Sequence, residues 1–401
     1  MNKIKLTKEQ ARQFILIHQG LLPPRKLKGK NGILDFIRKV GCIQFDPLNR
    51  VGQNPDLVLQ SRIKDYKPTL LQELLYTDRK LLDGWDKNMS IYSIEDWPYF
   101  ERYRMNAYKK YKRKSKDLNK ILPEVRKVLK EKGPLSSIDL KFDTKIDWAW
   151  APTRVSRAAL ESMYSWGELI VHHKVGTRKY YDFTEKYLPD NLLSTPDPNT
   201  SDKEYYKWHI KRRIRGIGML WALSGGSWLG IKGLKKGIRT EILSELVKND
   251  EVILIKVENI ENPFYILKED EELLHRVLNG VCIEPQVSFI APLDNILWDR
   301  KLVKKIFDFE YVWEVYKPVK ERKYGYYVLP ILYGDKFIGR FEPVLDKKSN
   351  QLVIKNWWWE PEVSITDNLH YALISALKDF LNYLGADKVK ISNNKNFPSI
   401  L

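Results

Sequence analysis

The sequence predicts an α+β chain of three tandem winged-helix units followed by a small C-terminal β-barrel or bent sheet with a covering helix. Three observations lead there. A unit of amphipathic helices closed by two β-type runs around a polar turn returns three times before residue 283. Beyond that point the apolar residues alternate with period two. The 401 residues, 43% of them hydrophobic, also supply several packed cores. The expected divisions are 1–118, 119–195 and 196–282 for the three units and 283–401 for the C-terminal domain.

In the first unit Thr7 and Gln10 have the spacing of a capping box, and Ala11, Phe14, Ile15 and His18 share one helix face. Ile33, Phe36, Ile37 and Val40 repeat the spacing in a second helix that Gly41 stops. A β-like segment at 42–46 follows. In the second unit Leu122, Val125 and Leu129 face one way on a helix ended by Gly133 and Pro134, and a short helix is expected at 136–140. Val155, Ala159, Met163 and Trp166 mark a longer helix that Gly167 ends. Runs at 169–172 and 180–183 then read as a hairpin with Lys174 and Arg178 at its tip.

The third unit has Tyr206, Ile210, Ile214 and Ile217 along a basic helix and Ile238, Ile242 and Leu246 along another, with a hairpin at 252–257 and 264–267. After residue 283, strands are expected at 311–316, 326–332, 336–341 and 352–357. The covering helix runs through Leu373, Ala376, Leu377, Phe380 and Leu384. The acidic run 269–272 reads as a solvated helix start.

Lys and Arg number 69 against 51 Asp and Glu, a net charge of +18, which calls for a polyanionic partner. Clusters stand at 109–116, 207–215, 232–239 and 317–323. Winged helices lay one helix in a groove and a wing on the phosphates. Arg154, Arg157, Lys174, Arg178, Arg212, Arg213, Lys235, Lys236 and Arg239 are therefore expected DNA contacts. Arg322 and Tyr324 are expected at the tip of a hairpin over 317–325 that reaches into the duplex. Any single cluster could equally be a solvated surface.

The opening residues lack a signal-peptide pattern, and no window is long and apolar enough for a membrane span, so a soluble, cytoplasmic protein is expected, and a monomer is expected besides. Cys42 and Cys282 stand far apart, and no histidine has metal-ligand spacing, so no metal or cofactor is expected. Residues 214–218 lack the proline of a helix-hairpin-helix motif, and Gly225-Gly226-Ser227 is not a nucleophile elbow.

The segment Gly41-Cys42-Ile43-Gln44-Phe45-Asp46-Pro47-Leu48-Asn49 carries the chemistry. In an extended chain Gln44 and Asp46 project from one face, roughly 7 Å apart at Cα, with Phe45 turned into the core. An exposed carboxylate there accepts a proton from water or stabilises positive charge at an anomeric carbon, while the Gln44 amide orients water or sugar. Asp-Pro also opens turns, and the residues alone leave that alternative standing.

Together with blocks at 57–62, 158–161, 167–169, 181–185 and 326–335, this segment resembles the AlkZ/YcaQ family of winged-helix DNA glycosylases nearly end to end. That family's signature is a glutamine, an apolar residue, then glutamine or aspartate. The aspartate form is similar to the YcaQ-like (AlkX) branch. The resemblance implies a cofactor-free DNA repair glycosylase with Gln44 and Asp46 catalytic. It would act on double-stranded DNA bearing alkylated bases, hydrolysing the N-glycosidic bond of N7-alkylated purines, including bulky adducts and interstrand crosslinks, as a single activity. Asn49, Trp85 and Asn88 are the implied lesion contacts. Two family histidines are replaced here, within Gln53-Asn54-Pro55-Asp56 and within Trp85-Asp86-Lys87-Asn88. The competing reading is a non-catalytic winged-helix DNA binder such as a regulator.

Overall fold

The computed structural model describes residues 4–22, 27–114, 116–148, 151–392 and 397. The chain forms two compact units interleaved in sequence. One comprises Met1–Leu71, Trp85–Ile91 and Asp202–Leu401; the other comprises Gln72–Gly84 and Tyr92–Ser201.

In the first unit the Thr7 side chain caps the helix Lys8–His18 by accepting from the Gln10 amide, and Gln10 returns the bond, which forms the expected capping box. The helix Gly29–Val40 buries Ile33, Phe36, Ile37 and Val40 and stops at Gly41, whose φ of 80° suits glycine. The short strand Cys42–Gln44 follows, beside the strand Asn88–Ser93. The helix Asp202–Ile217 buries Ile210, Ile214 and Ile217, and the helix Lys236–Lys248 buries Ile242 and Leu246. The hairpin Val252–Val257 and Phe264–Leu267 stands where expected. It belongs to a four-stranded sheet, with Ile4–Leu6 parallel to one side and Leu220–Trp221 antiparallel to the other. The chain's first strand thus pairs far away in sequence, which local periodicity cannot reveal.

The C-terminal sheet contains Val287–Phe289, Leu329–Tyr333, Lys336–Asp346, Gln351–Trp359 and Lys388–Ile391 in that spatial order. All neighbours are antiparallel except the last pair. The ladder between the two long strands shifts register at Glu342/Pro343, a position a proline tolerates because the regular ladder is broken there. The helix Asp367–Leu384 covers the sheet, with the Phe380 ring centroid 5.2 Å from Phe289 and 6.3 Å from Phe341. The strand expected at 311–316 is absent. That segment is irregular, and Tyr311 is buried with its hydroxyl donating to the Val328 carbonyl at 2.8 Å. Tyr311 is buried there without strand pairing, whereas Tyr316 is exposed.

The second unit packs Leu118, Val125 and Leu129 of the helix Lys116–Lys132 against Ala159 and Met163 of the helix Val155–Ser165 and the hairpin Leu169–Val175 and Arg178–Phe183. Residues 136–140 form a turn instead of a helix. Asp139 folds back to accept from the Ser136 amide at 2.7 Å and from its hydroxyl, which satisfies the groups a helix would use. The hairpin is longer than expected, with Val175 paired to Arg178 across Gly176-Thr177, so Lys174 lies within the ladder. Among the described residues no helix is long and apolar enough to cross a membrane.

Candidate active site

The strand Cys42–Gln44 ends at the wall of a cleft of about 430 Å³, lined by Gln44, Lys87 and Asn88 on one side and by Leu229, Leu293 and Trp298 on another. Every lining residue belongs to the first compact unit. Arg300 and Lys301, both exposed, complete its rim. Three glycines let the backbone close up around it. A Cβ on Gly216 would stand 2.6 Å from the Trp298 ring, one on Gly226 2.5 Å from the Trp298 carbonyl, and one on Gly225 would collide with the Asp299 carboxylate. Gly225-Gly226-Ser227 is therefore a packing device. Ser227 and Trp221 both donate to Asp299, which caps the helix Arg300–Phe307 that follows.

Gln44 is 6% exposed, so the face on which it was expected to stand beside Asp46 is not open surface, and its amide is reached through the cleft. Lys87 donates to its Oε1 at 3.1 Å. An ammonium has only protons to offer, so the amide oxygen must face Lys87, and Nε2 is left without a partner among the described residues. The Gln44 backbone is pinned as well. Asn54 donates to its carbonyl at 2.7 Å and accepts from the Leu293 amide at 3.0 Å. Asn54 and Lys87 stand in the two segments where the family's histidines are replaced, and their charge and hydrogen-bond roles were not legible from that difference.

Asp46 lies two residues beyond the strand and is half-buried, not exposed; it is not part of the cleft wall. Burial raises its carboxyl above the ordinary value, and the Leu48 amide, donating to Oδ1 at 2.9 Å, opposes the shift. The turn that Asp-Pro suggested is therefore formed. It uses one oxygen, and Oδ2 accepts no hydrogen bond from the described residues. Phe45 is buried, as its alternation required.

Below the cleft, Asp86 receives both Arg212 and Arg213, and each guanidinium also reaches a carbonyl, Arg212 that of Gly41 at 2.8 Å and Arg213 that of Leu229 at 3.0 Å. Burial alone would raise the Asp86 carboxyl, but the two guanidiniums hold it well below the ordinary range. Burial, reinforced by Arg213, pushes the neighbouring His209 imidazole down to about 3, so it is neutral. Arg212 and Arg213 are thus corrected from DNA contacts to buried structural charges. Arg239 is likewise buried, donating to the Ala222 carbonyl at 2.9 Å. Their positions on basic helices gave no sign of the inward-facing carboxylate and carbonyls that hold them.

The remaining expected contacts divide by environment. Lys235, Lys236 and Arg178 are exposed. Arg154 pairs with Asp143 at 3.4 Å and Arg157 with Glu161 at 2.8 Å, both with exposed side chains. Lys174 is corrected from wing tip to a buried ion pair with Asp83. The expected hairpin over 317–325 is instead a loop tied to Glu314. The backbone amides of Lys323, Tyr324 and Gly325 and the Lys317 ammonium donate to its carboxylate, which overcomes the effect of burial and brings Glu314 down to about 2. Tyr324 lies under the Arg340 guanidinium at 4.2 Å and Arg322 stacks on Tyr326 at 4.9 Å, so neither projects as a tip. Asn49 and Asn88 are exposed, and Trp85 is 37% exposed. Of the 109–116 cluster, the side chains of residues 112–116 lie outside the described residues.

Trp298, which the sequence did not single out, lines the cleft with an indole N–H that has no hydrogen-bond partner among the described residues. Lys87 is 5% exposed, sits 5.1 Å from the Trp298 ring centroid and has no carboxylate at ion-pair distance among the described residues. Burial, followed by the field of Arg213, lowers its ammonium to about 8.

The family described as DNA glycosylase AlkZ-like matches residues 37–383, a span that contains the strand, the cleft and the covering helix. The chain belongs to the AlkZ-like DNA glycosylases. The fold agrees: the DNA glycosylase AlkZ of Streptomyces sahachiroi superposes with a TM-score of 0.64 at 13% identity, covering 97% of this chain and 100% of that one. Membership in the AlkZ-like glycosylases makes an N-glycosidic bond in DNA the relevant chemistry and fixes attention on what the cleft can do to a deoxyribose. Among the described residues no group of His, Cys, Asp and Glu is placed to hold a metal.

Proposed function

We propose that this AlkZ-like glycosylase hydrolyses the N-glycosidic bond of N7-alkylated purines in duplex DNA, including bulky adducts and interstrand crosslinks, in the manner of the AlkX branch. The observation that carries this reading is the Gln44 side-chain amide, held by Lys87 at a cleft wall while Asn54 pins its backbone carbonyl, with Nε2 and one oxygen of the carboxylate two residues on unpartnered among the described residues. Alkylation at N7 makes the purine a cation that leaves without a general acid. A single carboxylate then suffices to stabilise the positive charge developing at the anomeric carbon or to take the proton of the attacking water. Asp46 has that role, and Gln44 donates from Nε2 to the sugar or the water. A second carboxylate, usual in sugar hydrolases, is not needed.

In this reading Asn49, Trp85 and Asn88 meet the lesion. The exposed cations Arg154, Arg157, Arg178, Lys235 and Lys236 meet phosphates and give salt-dependent, sequence-independent affinity. The same reading keeps three winged-helix motifs and a C-terminal sheet, distributed over the two compact units instead of standing as four consecutive domains, in a cytoplasmic monomer.

The test is mass spectrometry of the small products released when the purified protein meets nitrogen-mustard-treated duplex DNA, alongside Asp46→Asn. The expected result is free N7-alkylpurine from the wild type and none from the variant, with DNA affinity nearly unchanged. Retained release by Asp46→Asn would overturn the assignment, and binding without any release would make the protein a non-catalytic DNA binder.

A further inference from the structure

The cleft contains a nucleophile that glycosidic hydrolysis does not use. A lysine amine in a protein interior is ordinarily paired with a carboxylate. Among the described residues Lys87 is not: its hydrogen-bond partner is the neutral Oε1 of Gln44, it lies over the Trp298 ring, and the charges around it include the guanidiniums of Arg213 and Arg300. Asp86, next in the chain, is occupied by Arg212 and Arg213. The amine nevertheless lines the cleft, in hydrogen-bond contact with the amide proposed to meet the sugar. Desolvation together with neighbouring cations is the arrangement that makes a lysine a carbonyl nucleophile. Relative to an ordinary lysine, a lowered ammonium leaves a much larger fraction of free amine at neutral pH.

Base release leaves a deoxyribose whose C1′ is an aldehyde in its open form. We propose that Lys87 forms an imine with that aldehyde and makes this protein a DNA lyase at abasic sites. The proposal rests on the cleft being the place where the sugar binds, and it goes beyond the single activity expected from the sequence.

The steps balance without any further reagent. The Lys87 amine adds to C1′ and water leaves, giving a protonated imine. The imine acidifies C2′, whose proton passes to water, and the electron pair expels the 3′ phosphate oxygen from C3′, breaking the strand. Water then hydrolyses the unsaturated imine and returns the free amine. Arg300 and Lys301, exposed on the cleft rim, are placed to neutralise the departing phosphate.

The test uses the full-length protein and a duplex carrying one abasic site prepared beforehand, so that base release is not required. Sodium borohydride reduces the imine to a stable secondary amine, and peptide mass spectrometry of the wild-type adduct locates it. The expected result is one dominant adduct on Lys87 and a cleaved strand in the absence of borohydride. Lys87→Arg, which keeps the charge but cannot form the imine, should lower adduct yield at least about tenfold. Mapping to other lysines, or no adduct above that of free polylysine, would overturn the proposal. Because the mapping is done on wild type, the outcome does not depend on whether a variant folds. Base release from alkylated DNA without an adduct would sink the lyase and leave the glycosylase. An adduct on Lys87 without base release would do the reverse.

Discussion

One buried side chain joins two walls of the cleft: Asn54 donates to the carbonyl of Gln44 at 2.7 Å and accepts from the amide of Leu293 at 3.0 Å. Removing it leaves a buried acceptor and a buried donor unsatisfied, each worth about 1–3 kcal/mol. Asn54→Ala is therefore expected to lose about 2–4 kcal/mol of stability in urea unfolding and to loosen Gln44. Base release should fall further than DNA affinity, which a binding titration on the same variant checks.

The acid limb of base release should report Asp46. Burial raises its carboxyl, and catalysis needs the ionised form, so activity is lost as pH falls through a value above the ordinary aspartate pKa of about 4. A rate profile over the acid range checks the sign: a limb below that value would contradict the half-buried environment. Asp46→Asn should remove the limb together with roughly 100-fold or more of the rate.

Asp86→Asn should be among the most damaging substitutions, although the side chain touches no substrate. It strips the counter-charge from Arg212 and Arg213, both buried, at an expected cost of about 3–5 kcal/mol. The linkage has a definite sign. The folded-state carboxyl is depressed, so its stabilisation is present above the unfolded value of about 4 and is lost as pH falls below it. Melting temperatures of wild type and variant should converge in strong acid.

Exposed and buried cations should separate cleanly. Lys235→Ala and Lys236→Ala are expected to leave unfolding unchanged within about 0.5 kcal/mol. Each should reduce the slope of log affinity against log salt by about 1. Arg213→Ala should do the opposite, lowering unfolding stability while the fraction that remains folded keeps its salt slope. Fluorescence anisotropy across salt concentrations distinguishes the two classes.

Gly216→Ala places a methyl 2.6 Å from the Trp298 ring, which lies over the cleft. Overpacking of this kind costs about 1–3 kcal/mol, and the ring must shift to accept it. Base release should drop with little change in binding to undamaged duplex. Unchanged kinetics would mean that the position of Trp298 does not matter to the reaction.

The residues themselves determined a good deal. The capping box at Thr7, the stop at Gly41, the hairpin at Val252–Val257 and Phe264–Leu267 and the covering helix Asp367–Leu384 are local, written in periodicity, caps and turns within a few residues of one another. The family too was legible, because Gln44-Phe45-Asp46 and the distant blocks stand in the sequence as such. Tertiary structure alone decided which charges face inward. Arg212, Arg213, Arg239 and Lys174 look no different in sequence from Lys235 and Lys236, yet a carboxylate or carbonyl brought from elsewhere in the chain buries them. The same holds for the chemistry of the cleft. Lys87 is an ordinary lysine until folding removes its water and withholds a carboxylate, because the charge state of a side chain depends on the groups around it, and those come together only when the chain is closed.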